Sequence, residues 1–589
     1  MKEYINIESQ LEALKIKKIE KNLYSQIRDD VNVIPKVTPF KGINTDLLYI
    51  KDDKLLFIKF MDTTEELFFI LEDELIEVMN EEYNLMKLKM DQHYKNISYD
   101  YLFIMPYVEI DYKDKFTRNN IIDRNKVEEI LDNSEVLDNY LKEMNNEIDF
   151  NLFLLDICPE YYVMNDRINL NPDFKKIKFY NDEYEYSATM LETSQINDVI
   201  SIKYGNTLIE SGSGTGKTTT LVSRAIKLAR IYPHHNFVIF TYTKQLCNEL
   251  REKLDILYQE NNNLEVHTFR SFLFKLVKKY NLVVDYNMLK TDYEKTIKNI
   301  IKQINNTMKN KHMYKGIFID ESENYTKEQI EFIREFTYKT KFIMNIAHCN
   351  SLNLTNNMNI FKTTFEGIEF EEIISKEKNY RQSRELVNFT NKFIENCNEF
   401  IKEIRPNITK DVFPSTIPIV KGGKSVDIVK VSDIDEQINS IVWEIENLIT
   451  QKGLKYSDIA VIYPYNKKKL KSGKTIYIQY IIRKKLDEAN IPYICAEDDL
   501  TNITPKNGVT VSNIYSSRNL EYKAVILCEL EVFYNHTIND KEQDYQVNDF
   551  VGDLNKLYLA INRCVDYLRI ITTFSEESSD IIKLLMNSK

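Results

Sequence analysis

The stretch ESGSGTGKTTT, at residues 210–220, constrains the fold of this chain more than any other. A short apolar run precedes it, and a helical pattern of apolar residues follows it. The glycines let the backbone turn so that its N–H groups face an anion, and the helix that follows adds its positive end. The stretch therefore predicts a phosphate-binding loop between a strand and a helix, and with it a parallel α/β sheet.

This loop supplies candidate residues for binding a nucleoside triphosphate and Mg²⁺. Lys217 would reach the β- and γ-phosphates, and the Thr218 hydroxyl would bind magnesium. The strict pattern G-x-x-x-x-G-K-[ST] has Ser211 at its first position, where a small residue still permits the turn. A glycine-rich turn with an incidental lysine is the alternative, which the flanking strand and helix disfavour. We expect ATP contacts from Ser211, Gly212, Ser213, Gly214, Thr215, Gly216, Lys217, Thr218 and Thr219.

A second feature, a pair of acidic residues, indicates that the nucleotide is hydrolysed. Residues 317–321, IFIDE, form an apolar run that ends in two carboxylates. Asp320 at a strand end can hold Mg²⁺, and Glu321 can orient and deprotonate the attacking water. An isolated Asp-Glu pair is more often solvated surface charge. Its place at the tip of an apolar strand, downstream of a phosphate loop, indicates a nucleotide-hydrolysing site.

Three regions differ in pattern along the chain. Residues 1–185 alternate short β-rich runs with charged helical runs, which is typical of an α+β domain. Residues 186–370 and 371–589 repeat short apolar strands followed by helical periodicity, which indicates βαβ units and parallel sheets. About 50 residues lie between the segments at 269 and 320, so an insertion at about residues 270–312 in the first of these α/β domains is short.

Charge and targeting features exclude some classes of protein. The net charge of −12, from 78 Lys+Arg against 90 Asp+Glu, argues against a globally basic nucleic-acid coat but permits a local basic cleft. No secretory signal and no apolar run of about 18 residues is visible, so we expect no membrane association. The seven cysteines are scattered without a C-x-x-C pair, as in reduced cytosolic proteins. We therefore expect a cytoplasmic protein.

Further motifs, over roughly residues 190–580, resemble the UvrD/Rep family of superfamily 1 helicases. In the first α/β region, LETSQ, TYTK and HTFR resemble the family patterns L-x-x-x-Q, T-F-T-N-K and G-T-F-H. In the second, KNYR, NIYSSRNLE and LYLAINRC resemble N-Y-R-S, T-x-H-x-x-K-G-L-E and Y-V-A-x-T-R-A. The resemblance implies two RecA-like parallel-sheet domains with a nucleotide cleft between them, preceded by the α+β domain.

The resemblance also implies roles for individual residues. Gln195 would recognise adenine, Tyr380 would pack against it, and Glu521 would join the nucleotide site. The catalytic set would be Lys217 and Glu321 from the first domain with Arg381 and Arg563 from the second. Either arginine alone would more simply form a surface salt bridge, but the shared order of the motifs favours catalysis. Nucleic acid would contact Thr241, Tyr242, Thr268, Phe269 and Tyr515.

The chain also departs from the family pattern. Residues 346–353, IAHCNSLN, replace the third motif G-D-x-x-Q and the aromatic residues on which bases stack. Asn350 is the candidate substitute for the glutamine that senses the γ-phosphate. Because stacking supplies about 1–3 kcal/mol per base, its loss predicts a lower affinity for single-stranded nucleic acid. The single tryptophan, Trp443, lies among apolar residues at helical spacing and is expected in the core.

The N-terminal region weakly resembles a nuclease-related domain. Asp46 before one predicted strand and Lys59 on the next outline a D…E-x-K nuclease site, but Phe57 stands at the central acid position and cannot bind a metal. An active site would need another acid, such as Glu8 or Glu12 from the first helix. A nuclease-like remnant that binds nucleic acid or a protein partner, and an unrelated α+β domain, both stay open.

Together these features predict an ATP-hydrolysing helicase or translocase that uses Mg²⁺ and acts on nucleic acid, with DNA favoured over RNA and single-stranded DNA as the expected substrate. One alternative is an ATP-dependent conformational switch that regulates a partner protein without unwinding. A nuclease–helicase fusion is the other.

Overall fold

A computed structural model describes residues 11, 14–94, 97–110, 120–142, 149–165, 168–181, 184–258, 262–349, 365, 367–404, 406, 411–423, 426–469, 475–496, 500–503, 506–533, 544–573 and 579–589. Its main sheets are one of five strands and two of six strands. Across these described residues, no helix combines the length and the apolar character needed to cross a membrane.

The N-terminal sheet has five strands in chain order: β1 (Asn32–Pro35), β2 (Leu47–Lys51), β3 (Lys54–Phe60), β4 (Tyr99–Ile104) and β5 (Ile121–Ile122). The β1–β2 and β2–β3 pairs are antiparallel, whereas β3–β4 and β4–β5 are parallel. Successive residues of β3 alternate between the two faces, so Phe57 packs in one core cluster and Ile58 in another. The helices of this region are α1 (Lys18–Tyr24), α2 (Glu65–His93), α3 (Arg124–Asp132) and α4 (Phe150–Ile157).

A three-stranded antiparallel sheet extends the same core. Its strands, in spatial order, are β6 (Tyr162–Met164), β8 (Tyr184–Met190) and β7 (Ile177–Asn181). Met190 and Ile177 join the cluster that contains Phe57. The two sheets therefore share one apolar core, as an α+β region requires.

Asp46 and Lys59, the two residues that outline the predicted D…E-x-K site, have different side-chain partners. Lys59 Nζ lies 2.6 Å from Glu82 Oε2 on α2. Asp46 instead accepts a hydrogen bond from Lys36 Nζ at 2.6 Å, and Lys36 also contacts Glu20 of α1 at 3.0 Å. Glu20 is thus the first-helix acid near Asp46, whereas Glu8 and Glu12 lie outside the described residues.

The first six-stranded sheet is entirely parallel, which confirms the predicted α/β class. Its spatial order is β11 (Leu264–Thr268), β10 (Phe237–Thr241), β12 (Gly316–Ile319), β13 (Ile343–Cys349), β9 (Gly205–Ser211) and β14 (Glu372–Lys376). Strand β14 pairs with β9 although it lies beyond residue 370, the predicted end of the first α/β domain. The helices are α5 (Thr193–Ile200), α6 (Lys217–Ile231), α7 (Lys244–Leu257), α8 (Phe269–Tyr280), α9 (Tyr286–Thr291), α10 (Tyr293–Thr307) and α11 (Lys327–Arg334).

The second six-stranded sheet is also parallel. Its order is β17 (Asp427–Val431), β24 (Cys564–Thr573), β23 (Tyr522–Leu527), β18 (Ile459–Tyr463), β22 (Val509–Asn513) and β21 (Tyr493–Cys495). Two small strand pairs join it: β15 (Lys378–Ser383) with β16 (Ile417–Val420), and β19 (Lys467–Lys469) with β20 (Thr475–Tyr477). The helices are α12 (Arg384–Ile404), α13 (Ile434–Lys452), α14 (Ile478–Glu488), α15 (Asp544–Ile561) and α16 (Asp580–Met586).

Trp443, on α13, is 61% exposed, so the prediction that it packs in the core is wrong. The buried stripe of this helix instead runs through Ile438, Ile441, Ile445 and Leu448. Trp443 falls between the positions of that stripe, because apolar spacing places a residue on a helix without fixing how wide the buried face is.

A buried ionic contact joins the N-terminal region to helix α6. Lys227 Nζ lies 3.0 Å from Glu160 Oε1, and both side chains are fully buried. Lys227 Nζ also donates to Thr38 Oγ1 at 3.0 Å, and Arg230 Nη2 donates to the carbonyl of Ile157 at 2.9 Å. Since α6 begins at Lys217, the helix that carries the phosphate loop is anchored at its far end in the N-terminal region.

Candidate nucleotide site

The phosphate loop leaves β9 after Ser211 and enters α6 at Lys217, as the sequence predicts. Gly214 has φ 79° and Gly216 has φ 81°, a left-handed conformation that favours glycine. A Cβ on Gly214 would also lie 2.8 Å from Asn379 Oδ1. The loop therefore needs glycine both for its turn and for the close approach of β15.

Ser211, at the nonstandard first position, takes part in the loop. Its side chain is buried, and its Oγ is hydrogen-bonded to Thr215 Oγ1. Lys217 Nζ donates to the Ser211 carbonyl at 3.2 Å and to Ser211 Oγ at 3.4 Å. The hydroxyl adds contacts that a glycine could not make, while the residue remains small enough for the turn.

Thr218 and the acid pair meet where β9 and β12 end. Thr218 Oγ1 donates to Asp320 Oδ2 at 2.7 Å, and the Glu321 N–H donates to Asp320 Oδ1 at 3.0 Å. Burial raises the pKa of Asp320 and the pKa of Glu321, although Thr218 opposes the first shift and Arg518 the second. Glu321 Oε2 is buried and has no hydrogen-bond partner among the described atoms.

These features suit a magnesium nucleotide. Within the described residues, no group of three or more His, Cys, Asp and Glu side chains converges as a metal site. Mg²⁺ needs no such cage, because it is commonly held by one or two protein oxygens together with phosphates and waters. The Thr218–Asp320 pair offers those oxygens, and the unpartnered Glu321 oxygen has the hydrogen-bonding capacity for a water.

Residues from the second α/β region close over the loop at Ser213. Arg381 Nη1 donates to Ser213 Oγ at 3.0 Å, and the Ser213 N–H donates to the Tyr558 hydroxyl at 3.1 Å. Asn379 Nδ2 donates to the Ser213 carbonyl at 3.3 Å. The Tyr380 N–H donates to the Gly214 carbonyl at 2.9 Å. The structure thus brings together motifs more than 160 residues apart in the chain.

The two predicted arginines share one acidic partner. Arg381 Nη2 lies 2.5 Å from Glu521 Oε1. Burial would raise the pKa of Glu521, but Arg381, Arg563 and Lys253 outweigh it and lower that pKa. Burial, reinforced by Arg381, lowers the pKa of Arg563 to about 10, so the guanidinium stays charged at neutral pH. The Glu521 carboxylate therefore attracts both guanidinium groups, which lie beside the loop and repel each other.

The predicted adenine residues lie together on the other side of Gly216. A Cβ on Gly216 would lie 3.2 Å from Gln195 Nε2 and 3.8 Å from Tyr380 Cδ2. Gln195 is buried, and its Oε1 accepts from the Glu192 N–H at 3.3 Å. The Tyr380 hydroxyl donates to Glu192 Oε1 at 2.7 Å. Glu192, which sequence reasoning did not single out, thus links Gln195 to Tyr380.

His348 is a further site residue that the sequence analysis missed. It lies on β13 opposite Glu210 of β9, and its Nδ1 is 3.2 Å from Ser322 Oγ. Burial, with a contribution from Lys217, lowers the pKa of His348 to about 4, so the ring is neutral at neutral pH. The sequence feature that indicates this residue is its place as a polar residue at the end of an apolar strand, within the altered third motif. Asn350, the predicted substitute, lies outside the described residues.

The predicted nucleic-acid residues divide into buried and accessible ones. Thr241 and Phe269 are buried, and Phe269 packs against Phe332 with ring centroids 6.0 Å apart. Thr241 is fully buried and Phe269 is 7% exposed, and their contact with nucleic acid stays a prediction. Thr268 Oγ1 caps α8 by accepting from the Ser271 N–H at 3.0 Å.

The other two aromatic residues of that set are more accessible. Tyr242 is half-buried, and Arg518 lies 5.4 Å from its ring centroid. Tyr515 is 38% exposed. Both rings therefore keep part of their surface exposed.

Comparison with known proteins agrees with this geometry. The model of the UvrD/REP helicase N-terminal domain matches residues 191–418. Among solved structures, the chain is similar to the C-terminal domain of a possible DNA helicase from Lactobacillus plantarum WCFS1, with 14% identity, coverage of 35% of this chain and 93% of that chain, and a TM-score of 0.22. That TM-score is too low to carry an argument. No curated protein matches the chain. Residues 191–418 are therefore similar to the N-terminal domain of UvrD/REP helicases.

Proposed function

We propose that the protein is an ATP-hydrolysing helicase or translocase that acts on nucleic acid, with single-stranded DNA as its favoured substrate. The observation that supports this most is the convergence at Ser213. Arg381 and Tyr558, from the second α/β region, both bond to this residue of the phosphate loop. A site completed across two domains can couple hydrolysis to their relative movement.

In this proposal, ATP lies in the cleft with its phosphates on the loop and its adenine between Gln195 and Tyr380. Lys217 binds the β- and γ-phosphates, and Thr218 with Asp320 holds Mg²⁺. When bound, Mg²⁺ neutralises charge that develops on the phosphate oxygens. Glu321 orients the attacking water and accepts its proton through the buried, unpartnered oxygen.

The two arginines act on the same phosphates from the other side of the cleft. Arg381 now shares its guanidinium between Ser213 and Glu521, so both groups hold it beside the loop. Arg563, buried behind it, adds a second positive charge. Such arginines accelerate phosphoryl transfer by about 10³–10⁵ in related systems.

The contacts between the two regions connect this cleft to the proposed strand path. Asn519 Nδ2 donates to Thr243 Oγ1 at 2.9 Å, and Gln245 Nε2 donates to the Ala496 carbonyl at 2.9 Å. Thr243 follows Tyr242, a proposed nucleic-acid contact. Opening or closing of the cleft therefore shifts Tyr242 relative to Tyr515.

A second candidate function is an ATP-dependent switch that controls a partner protein. The burial of Thr241 and Phe269 and the net charge of −12 favour it. The anchoring of α6 in the N-terminal region offers a route by which a partner bound there could sense the nucleotide. The nuclease–helicase fusion is less favoured, because Glu20 and Asp46 both already pair with Lys36.

The test is the ATPase rate of the full chain with and without single-stranded DNA and single-stranded RNA. Lys217→Ala serves as the inactive background, and Lys178→Ala, at an exposed surface pair, serves as the matched control. The motor predicts strong stimulation by one polymer that Lys217→Ala abolishes. A rate that Lys217→Ala abolishes but that neither polymer changes would contradict the motor and favour the switch.

A further inference from the structure

The strand pair β19–β20 carries a basic and aromatic surface outside the nucleotide cleft. The two strands are antiparallel, with Lys467 opposite Tyr477, and α14 begins directly after β20. We call the surface formed by Lys467, Tyr477, Tyr480 and Arg483 the tyrosine surface. None of the family-like motifs includes any of these four residues.

Two aromatic rings of this surface face solvent. Tyr477 is 42% exposed and Tyr480 is 59% exposed. Their ring centroids lie 5.9 Å apart, with the ring planes at 64°. Large aromatic side chains usually bury most of their area, so two neighbouring exposed rings indicate a binding surface. Exposed rings at this spacing can each accept a stacked base.

Positive charges lie beside both rings. Lys467 is exposed, and its Nζ is 5.5 Å from the Tyr477 ring centroid. The Arg483 guanidinium is 5.8 Å from the Tyr480 centroid. Arg483 Nη2 contacts Cys495 Sγ at 2.7 Å, while its buried Nε has no hydrogen-bond partner among the described atoms. In the described part of the chain, neither cation pairs with a carboxylate, so both are available to phosphates.

The tyrosine surface adjoins the proposed strand path of the second α/β region. Asn466 links the two, because its Oδ1 accepts from Asn513 Nδ2 at 3.0 Å and its carbonyl accepts from the Ile478 N–H at 3.2 Å. Asn513 ends β22 and precedes the exposed Tyr515 by two residues. Ligands of open parallel sheets bind at this carboxyl edge, which places the surface beside a strand bound at Tyr515.

We propose that the tyrosine surface binds single-stranded nucleic acid, with bases stacked on Tyr477 and Tyr480 and phosphates paired with Lys467 and Arg483. This inference rests on the proposed function, in which the chain acts on nucleic acid. A single strand fits best, because it offers unpaired base faces and closely spaced phosphates, whereas a duplex hides its base faces. The surface would replace part of the stacking that the altered third motif lacks.

The test is the affinity of the full chain for a fluorescently labelled oligothymidylate and for a labelled oligouridylate, measured by anisotropy. For Tyr477→Ala and for Tyr480→Ala we expect Kd to rise about tenfold each, within the range that stacking on one ring supplies. Tyr480→Phe keeps the ring and should retain wild-type affinity. Tyr180→Ala removes a ring in the N-terminal region that is more exposed, at 73%, than either tyrosine of the surface, and should bind as the wild type does.

A second measurement tests the charges. Lys467→Ala removes one phosphate contact, so the slope of log affinity against log salt should become shallower by about 0.7. As a control for folding, each variant should have the same midpoint of thermal unfolding as the wild type.

The two proposals fail in different ways. If the wild type binds an oligonucleotide and both alanine variants bind equally well, the tyrosine surface is overturned and the motor stands. If the wild type binds neither polymer, both are overturned. Labelled polyglutamate serves in the same assay as a probe for an acidic protein partner. If the alanine variants lose binding to polyglutamate but keep binding to both oligonucleotides, the surface is assigned to such a partner instead.

Discussion

Arg381 Nη1 donates to Ser213 Oγ over 3.0 Å, so an arginine from the second α/β region contacts the phosphate loop of the first. The same guanidinium pairs with Glu521 at 2.5 Å, which holds it in place without a nucleotide contact. Arg381 therefore links the loop to the motif that ends in Glu521. Any separation of the two regions must break the bond to Ser213, and this makes the arginine sensitive to closure of the cleft.

Glu321→Gln should abolish most hydrolysis and leave nucleotide binding intact. The amide keeps the size of the side chain but cannot accept a proton from water, so kcat should fall by about 10²–10⁴. Steady-state ATPase assays and binding of a fluorescent ATP analogue measure the two properties separately. Glu328→Gln, at an exposed acid on α11, is the matched control and should hydrolyse normally. A Glu321→Gln enzyme with wild-type kcat would remove Glu321 from the mechanism.

His348 Nδ1 and Glu323 Oε2 lie 3.9 Å apart, and the two groups predict opposite effects on stability in acid. Burial lowers the pKa of His348 to about 4, so its contribution to stability is present above the unfolded pKa of about 6.5 and is lost as the pH falls. Burial, with a contribution from Glu321, raises the pKa of Glu323 to about 7, so protonation of Glu323 stabilises the fold as the pH falls below that value.

His348→Gln should therefore lose less stability than the wild type between pH 7 and pH 5, by about 2 kcal/mol. Glu323→Gln should lose more than the wild type over the same interval. Chemical denaturation at the two pH values measures both differences. Identical pH dependence in the wild type and both variants would show that neither group titrates with a shifted pKa.

The buried contact between Lys227 and Glu160 should be important for stability. Lys227→Met leaves the buried Glu160 with the more distant Arg230, whose Nε lies 3.5 Å from Glu160 Oε2, and breaking a buried pair costs about 3–5 kcal/mol. The midpoint of thermal unfolding should fall clearly, and limited proteolysis should release the N-terminal region. Lys178→Met disrupts an exposed pair with Glu185 and should cause no measurable change. If Lys227→Met and Lys178→Met unfold at the same temperature, α6 is not anchored through Lys227.

The parts of the site that the sequence predicted are those governed by local pattern. Lys217, Thr218 and Asp320 each lie at a strand end or helix start, so an apolar run beside a polar residue is enough to place them. The order of the family-like motifs then predicted that Arg381 and Arg563 lie in the same cleft, and both act on Glu521. His348 could not be placed in this way, because its position depends on β13 pairing beside β9, a contact between distant segments.

The contacts that the sequence did not predict have one physical origin. Asp46 lies beside β3, since its N–H donates to the Ile58 carbonyl at 2.8 Å, yet Asp46 pairs with Lys36 and Lys59 pairs with Glu82 of α2. Phe269 and Thr241 match motif positions, yet tertiary packing buries both. Sequence spacing fixes which element a residue belongs to, whereas its partners depend on how the elements pack.

The measurement that tests the central claim most directly is the kcat of Arg381→Ala, compared with its affinity for ATP. If the second α/β region completes the active site, kcat should fall by about 10³-fold or more while nucleotide binding changes little. Arg384→Ala removes an exposed arginine three residues further on and should keep the wild-type rate. A wild-type kcat in Arg381→Ala would contradict a hydrolytic site shared between the two regions.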